Sequence, residues 1–333
     1  MPSLHLLLPR IWQRRGGLAW LLWPLACLYR VLWNVRLLAY RQGWLAGGHP
    51  DGFVIVVGNV LAGGAGKTPT TVALVHHLSA LGLQVGVVSR GHGRRARHIA
   101  AVQPISTPAD VGDEPLLIWR HTQALQVPVW VGAERLEVAR QLLQAHPGTQ
   151  VIVCDDGLQH LALQRDLEIC LMDDRGAGNG WLLPAGPLRE PWPRPVDLLL
   201  YTHGQRPGTS GFCAQRHLAD HAINGRGERR ALSDLAHTPV DAVAGLARPQ
   251  AFFDMLQARQ LTLADTYPLP DHDDFADWQA TTSGRPLLCT EKDAVKLWAH
   301  QPDAWAVPLQ MVPEPAFWQA LDVLLRQRGL LQG

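Results

Sequence analysis

Residues 51–71, DGFVIVVGNVLAGGAGKTPTT, limit what this chain can fold into more than any other stretch, because they read as a strand, a glycine-rich turn and a helix start. Phe53 to Val57 is a short apolar, β-branched run of the kind a buried strand needs. Gly63, Gly64 and Gly66 let the backbone turn so that successive N–H groups converge on an anion. Lys67 and Thr68 then supply one long cation and one hydroxyl, the pair a phosphate-cradling loop uses for a nucleotide and its Mg²⁺. A helix from Thr68 to about Leu81 would point its positive end at the same phosphates. Pro69 is tolerated in a first turn whose N–H groups lack partners. The usual spacing asks for a glycine at position 61, where this chain has Leu61, with Gly58 the nearest upstream. A glycine-rich turn that binds nothing is the bland alternative.

The rest of the chain supports a buried α/β protein. Apolar residues make up 47% and charged residues 18% of 333, enough for one large or two ordinary domains with real cores and too apolar for a disordered chain. Strand-like runs at Gln84–Ser89, Pro128–Val131, Gln150–Cys154, Leu167–Met172 and Val196–Tyr201 alternate with helical stretches at Glu114–Gln126 and Ala133–His146. Such alternation predicts a parallel sheet flanked by helices, here of the phosphate-loop type. Residues 51–202 are read as this core, and the polar, Gly-, His- and Arg-rich 203–238 as a linker or loop-rich insertion. Residues 239–333 are read as a smaller α/β unit completing a cleft. Five singly spaced cysteines, Cys27, Cys154, Cys170, Cys213 and Cys289, imply a reducing compartment and no disulfide framework.

Residues 1–50 stand apart. They hold six arginines (Arg10, Arg14, Arg15, Arg30, Arg36, Arg41), five tryptophans and no acid. The apolar run Leu18–Tyr29 is about a dozen residues, short of the roughly 20 a helical span takes, and Pro24 and Arg30 interrupt it. A helix lying in the plane of an anionic leaflet is the expectation. A tilted span over 17–40, a cleaved leader carrying Arg14-Arg15, and a helix packed on the protein's own core are the competing readings.

Several polar clusters could carry chemistry. QVIVCDD (150–156) is an apolar strand ending in Asp155 and Asp156, where a phosphate-loop fold keeps its metal-binding acid; one of the two would hold Mg²⁺ with Thr68. A solvated acid pair is the alternative. Asp113 and Glu114 precede a helix, and residue statistics alone favour capping. Arg90, Arg94, Arg95 and Arg97 crowd a loop after a strand, where phosphate binding and simple solvation fit equally. Arg189 and His272 are unremarkable taken singly.

Together the segments resemble one family, the tetraacyldisaccharide 4′-kinases of lipid A biosynthesis. The resemblance rests on GNVLAGGAGKTP (58–69), SRGHGR (89–94), GDEP (112–115), AERL (133–136), DDGLQH (155–160), RDLEI (165–169), LLPAGPLREP (182–191), PDHDDF (270–275) and TEKDAVKL (290–297), in the family's order. It implies transfer of the γ-phosphate of ATP to the 4′-hydroxyl of an acylated glucosamine disaccharide 1-phosphate, giving lipid IV-A at the cytoplasmic face of the inner membrane. It assigns Leu61, Ala62, Gly63, Gly64, Ala65, Gly66, Lys67 and Thr68 to the nucleotide, and Thr68, Asp155 and Asp156 to the metal. Asp113 becomes the base on the sugar hydroxyl, with His272 its partner, beside Lys67 at the phosphates. Arg90, Glu114, Arg135, Gln159 and Arg189 line the nucleotide and lipid-phosphate cleft. Where the family has Thr-Val-Gly-Gly, this chain has Leu61-Ala62-Gly63-Gly64, which keeps the glycines.

A membrane-associated switch ATPase is the rival from another class. Such proteins often carry a second lysine at the start of the loop, where this chain has Ala62. No nucleic-acid partner and no required protein partner is expected.

Overall fold

The computed structural model describes residues 11–204, 210–271, 273–275, 278 and 284–331. The phosphate-loop stretch begins with β1 (Phe53–Asn59), which is followed by α2 (Lys67–Ala80), α1 being the N-terminal helix Gly17–Arg41. Then come β2 (Val85–Ser89), β3 (Ala100–Ala101), α3 (Pro108–Val111), α4 (Asp113–Thr122), β4 (Val129–Val131), α5 (Arg135–Ala145), β5 (Val151–Asp155), β6 (Leu167–Met172) and β7 (Leu198–Tyr201). With β8 (Phe212–Leu218) and β15 (Leu309–Pro313) these strands make one nine-stranded sheet, ordered β15-β8-β7-β6-β1-β5-β2-β4-β3. Seven of the strands are mutually parallel; β15 and β3 add antiparallel edges.

β1 lies centrally because both its faces are apolar. Ile55 and Val57 pack on one face with Leu74 and Leu78 of α2, and Val54 and Val56 on the other with Val138 and Leu142 of α5. The chain leaves β1 toward β2 on one side and continues from β5 to β6 on the other. The crevice beyond the ends of β1 and β5 is therefore a switch point, where open α/β sheets bind ligands.

A second sheet of six strands uses β9 (His221–Ile223), β10 (Arg229–Ala231), β11 (Val240–Gly245), β12 (Leu263–Leu269), β13 (Leu287–Thr290) and β14 (Trp305–Val307), ordered β10-β9-β14-β13-β11-β12. It carries α6 (Pro249–Ala258) and α7 (Glu291–Leu297). Two expectations change here. Within 203–238, read as a linker or loop-rich insertion, the chain forms β8, which extends the first sheet, and β9 and β10, which start the second. Within 239–333 the last elements do not stay with the smaller unit. β15 pairs with β8, and α8 (Pro315–Gln327) buries Phe317, Leu321 and Leu325 against the first sheet. The reason is that α8 has one strongly apolar stripe, and the open face beside β7 and β8 accepts it. The two crossings between sheets lie side by side, with Ala219 N–H donating to Pro308 O at 2.8 Å.

α1 is one continuous helix of 25 residues that runs through Pro24, and it is long and apolar enough to cross a membrane. The apolar segment is thus longer than the dozen residues read from the sequence. Its narrow inner face (Ala19, Ala26, Trp33, Ala39) is buried, whereas Leu18, Trp20, Leu21, Trp23, Leu25, Leu28, Val31, Leu32, Val35 and Leu38 are exposed. Trp20 and Trp23 cluster with Trp181, over which Arg15 lies at 5.2 Å. Tyr29 Oη donates to the backbone oxygen of Arg189 at 2.6 Å, tying the helix to the rim of the crevice.

Candidate active site

The glycine-rich loop is shaped from its base upward. Asn59, the last residue of β1, donates through Nδ2 to Leu61 O (2.9 Å) and Gly63 O (3.2 Å). The LLPAGPLREP segment runs antiparallel beside the loop: Ala62 N–H donates to Pro187 O at 2.8 Å, and Leu61 bridges Leu188. Arg175 Nη1 donates to Ala62 O at 3.1 Å. Leu61 and Ala62 therefore anchor the loop, while Gly64, Ala65, Gly66, Lys67 and Thr68 line a cavity of about 480 Å³ between the two sheets. Gly66 has φ +81°, a conformation that favours glycine, and a Cβ there would lie 2.7 Å from Met311 Cε. It ends the loop at the N-terminus of α2, whose first amides have no intrahelical partner.

Lys67 is buried, with Nζ 3.3 Å from Asn59 Oδ1 and 3.7 Å from Asp156 Oδ1. Its neighbours are the acids that end β5. Asp155, fully buried, accepts from Thr71 Oγ1 (3.0 Å) and Ser89 Oγ (3.4 Å). Asp156 has φ +50° and pairs with Arg189 Nη1 at 3.1 Å. Burial, with the charges of Glu114 and Asp156, pushes the Asp155 carboxyl upward against the pull of Lys67. Burial also acts to raise Asp156, but Lys67 and Arg189 outweigh it and hold that carboxyl down. Two adjacent acids thus sit in opposed electrostatic settings beside the phosphate loop.

Gln159 Nε2 donates to Asn59 O (3.1 Å) and Glu190 Oε1 (2.7 Å), linking the turn after Asp156 to the loop base. Arg135 is buried, donates to Ala133 O at 2.8 Å, and keeps an unpartnered Nε. Arg90 is exposed. Burial first, and then the charges of Arg135, Arg165, Arg36 and Arg90, push His160 down to about 4. That convergence defines a basic region joining α1 to the core.

Asp113 begins α4 after Gly112, whose φ is +95° and where a Cβ would meet His92 O at 2.9 Å. Its carboxylate is buried and pairs with Lys296 Nζ of α7 at 2.8 Å. Capping is thus not its only environment. The TEKDAVKL segment accounts for this side of the cleft residue by residue. Glu291 pairs with His121 of α4 at 2.9 Å, and Lys292 with Asp271 at 3.0 Å. Thr290 caps α7 by accepting from Asp293 N–H, and the Asp293 carboxylate accepts from Thr290 Oγ1 and from Gly245 N–H, joining α7 to β11. Glu114 lines the cavity beside the loop. His272 lies outside the described residues.

Asn59, Ser89, Thr71, Arg175, Arg216 and Lys296 were not singled out from the sequence. Only Asn59, a lone amide closing an apolar strand just before the glycines, carried a readable signal.

Comparison with known proteins places the chain in a family. The family described as Tetraacyldisaccharide-1-P 4'-kinase matches residues 18–326. A Tetraacyldisaccharide 4'-kinase of Verminephrobacter eiseniae (strain EF01-2) is 56% identical over 333 residues, covering 98% of this chain and 77% of that protein. Another, of Polaromonas naphthalenivorans (strain CJ2), is 56% identical over 327 residues, covering 95% of this chain and 94% of its own length. Among solved structures, LpxK from Aquifex aeolicus in complex with ATP superposes with a TM-score of 0.79 at 27% identity, covering 93% of this chain and 99% of that one. By descent and by fold alike, this chain belongs to the tetraacyldisaccharide 4'-kinase family of ATP-dependent kinases in lipid A biosynthesis.

Proposed function

We propose how the residues of the cleft carry out phosphoryl transfer from ATP to the 4′-hydroxyl of a tetraacyldisaccharide 1-phosphate. The triphosphate lies on the loop Gly63–Thr68, with Lys67 and the first amides of α2 against its phosphates. Residues 51–202, joined by β8, β15 and α8, form the kinase core, and the second sheet completes the cleft over it. The observation that carries the reading is that Lys67 lines one cavity with the loop, Thr68 and Glu114 while its Nζ lies 3.7 Å from Asp156 at the end of β5.

Thr68, Asp155 and Asp156 offer a hydroxyl and two carboxylates, the hard oxygen donors that suit Mg²⁺. When bound, Mg²⁺ supplies charge neutralisation and orientation for the phosphates. The protein's own groups do the rest. Lys67 neutralises charge growing on the γ-phosphoryl oxygens, and Arg189 keeps Asp156 ionised and aimed. Asp113 accepts the proton of the sugar hydroxyl as its oxygen bonds to the γ-phosphorus and the bond to ADP breaks. His272 is its partner in passing the proton outward. Lys296 keeps the Asp113 carboxylate oriented. Arg90, Arg135, Gln159, Glu114 and Arg189 receive the head group, the basic region around His160 facing its 1-phosphate.

The exposed Leu, Val and Trp side chains of α1, with Arg30 and Arg41 exposed among them, suit attachment to the surface of an anionic leaflet at the cytoplasmic face of the inner membrane. The acyl chains then stay in the bilayer while the head group reaches the cleft. The decisive experiment is to incubate the protein with ATP, Mg²⁺ and the disaccharide 1-phosphate lipid and weigh the product. A mass gain of one phosphoryl group, lost on omission of Mg²⁺, is expected. ATP hydrolysis without phosphorylated lipid would overturn the reading.

A further inference from the structure

We propose that Arg216, on β8, is a second phosphate-binding cation of the nucleotide site, acting opposite Lys67 on the polyphosphate. The argument starts from position. Met311 and Arg216 are direct partners in the β15–β8 pair, and both abut the last glycine of the loop. A Cβ on Gly66 would lie 3.1 Å from Arg216 Nη2. The guanidinium therefore touches the loop backbone where its amides turn into α2, and it lines the same cavity as Lys67 and Thr68.

Its partners point the same way. Nη2 donates to Thr202 Oγ1 at 3.2 Å, and Nε is buried with no hydrogen-bond partner. The nearby acids are engaged by other arginines: Asp173 by Arg175, through Nε at 2.9 and 3.0 Å, and Asp174 by Arg248, at 2.7 and 2.9 Å. Among the described residues no carboxylate pairs with Arg216. A guanidinium drawn out of water beside a phosphate loop, with a buried donor to spare, is stabilised by an anion that enters the cavity. Burial works against its charge, so filling that place restores what folding removed. The ligand this fits is the α- and β-phosphate portion of a nucleoside di- or triphosphate, since those phosphates follow the loop past Gly66.

The inference rests on reading 61–68 as the nucleotide loop, so Lys67→Ala is measured beside it. Binding of ATP, ADP, inorganic tripolyphosphate and adenosine is titrated for the wild type, Arg216→Gln and Arg216→Lys. Arg216→Gln is expected to weaken ATP, ADP and tripolyphosphate about ten- to a hundredfold, as loss of a charge-assisted hydrogen bond does, and to leave adenosine unchanged. Arg216→Lys, which keeps a charge but not the fork, should lose less and again spare adenosine. Arg216→Lys decides alone if Arg216→Gln does not fold. ATP and ADP affinities within twofold of wild type, or an equal loss for adenosine, would overturn the proposal. If Lys67→Ala weakens ATP and Arg216→Gln does not, the loop reading stands and only Arg216 falls; if neither weakens it, both fall.

Discussion

The two ends of the cleft are built differently. At the phosphate end every contact belongs to the first sheet: Asn59, Lys67, Thr71, Ser89, Asp155, Asp156 and Arg189 all sit on or beside β1, β2, β5 and α2. At the acceptor end the contacts cross between the sheets. Asp113–Lys296, His121–Glu291 and Arg120 over Trp298 at 5.4 Å each join α4 to α7 or the turn after it. The phosphate end is thus preassembled, as a site that must neutralise charge without reorganising should be. The acceptor end takes its contacts from both sheets, so in the proposed mechanism the setting of Asp113 depends on the second sheet.

The largest effect should come from the acceptor end. Asp113→Ala is expected to lower kcat about 10²–10⁴-fold with little change in KM for ATP, measured by steady-state kinetics at saturating lipid. A comparable rise in KM for ATP would move Asp113 to the phosphate end and erase the contrast. Lys67→Ala should lower kcat about 10²–10³-fold and weaken ATP binding, while circular dichroism remains native, because its contacts lie within a sheet that folds without it. Wild-type turnover in this variant would break the phosphate-loop reading itself.

Lys296→Ala sharpens the comparison. It removes the cross-sheet partner of Asp113, and about a tenfold fall in kcat is expected from a lost charged hydrogen bond. Because Lys296 acts through Asp113, adding the substitution to Asp113→Ala should cost almost nothing further; additive losses would give the lysine a role of its own.

The smallest effect concerns pH. Burial acts to lower His121, but the hydrogen bond and charge of Glu291 outweigh it and its pKa is raised. The contact therefore contributes its full stability below the ordinary histidine pKa of about 6.5 and loses it as pH rises through the raised value. Glu291→Gln should lower Tm by a few degrees at pH 6, a difference that fades by about pH 8.5. A constant difference across that range would show a packing contact rather than an ion pair.

How much was legible follows the same division. The strand, glycines, Lys67 and Thr68 are contiguous, so spacing alone placed them, and the acid pair closing β5 followed from an apolar run ending in Asp-Asp. β8 carries no clean apolar alternation in its FCAQRHL, because Gln215 and His217 are exposed on one face and the charged Arg216 shares the other with buried Ala214 and Leu218. α1 runs on through Pro24, which interrupts the apolar run, because the missing N–H costs only one bond. Burial of Ala19, Ala26 and Trp33 along one face holds the helix on either side of it.

The glycine-rich turn between β1 and α2, Lys67 and Thr68 after it, the acids closing β5 and the apolar, arginine-bearing N-terminal helix are legible in the sequence, because each depends on neighbours a few residues apart. Only the tertiary structure decided that Lys296 would meet Asp113, that Arg189 would hold Asp156, that Arg216 would lie under Gly66, and that the C-terminal helix would return to the first sheet. Those contacts join segments with no local periodicity in common, and they exist because the two sheets and their crossing strands bring distant backbone positions to within hydrogen-bond reach.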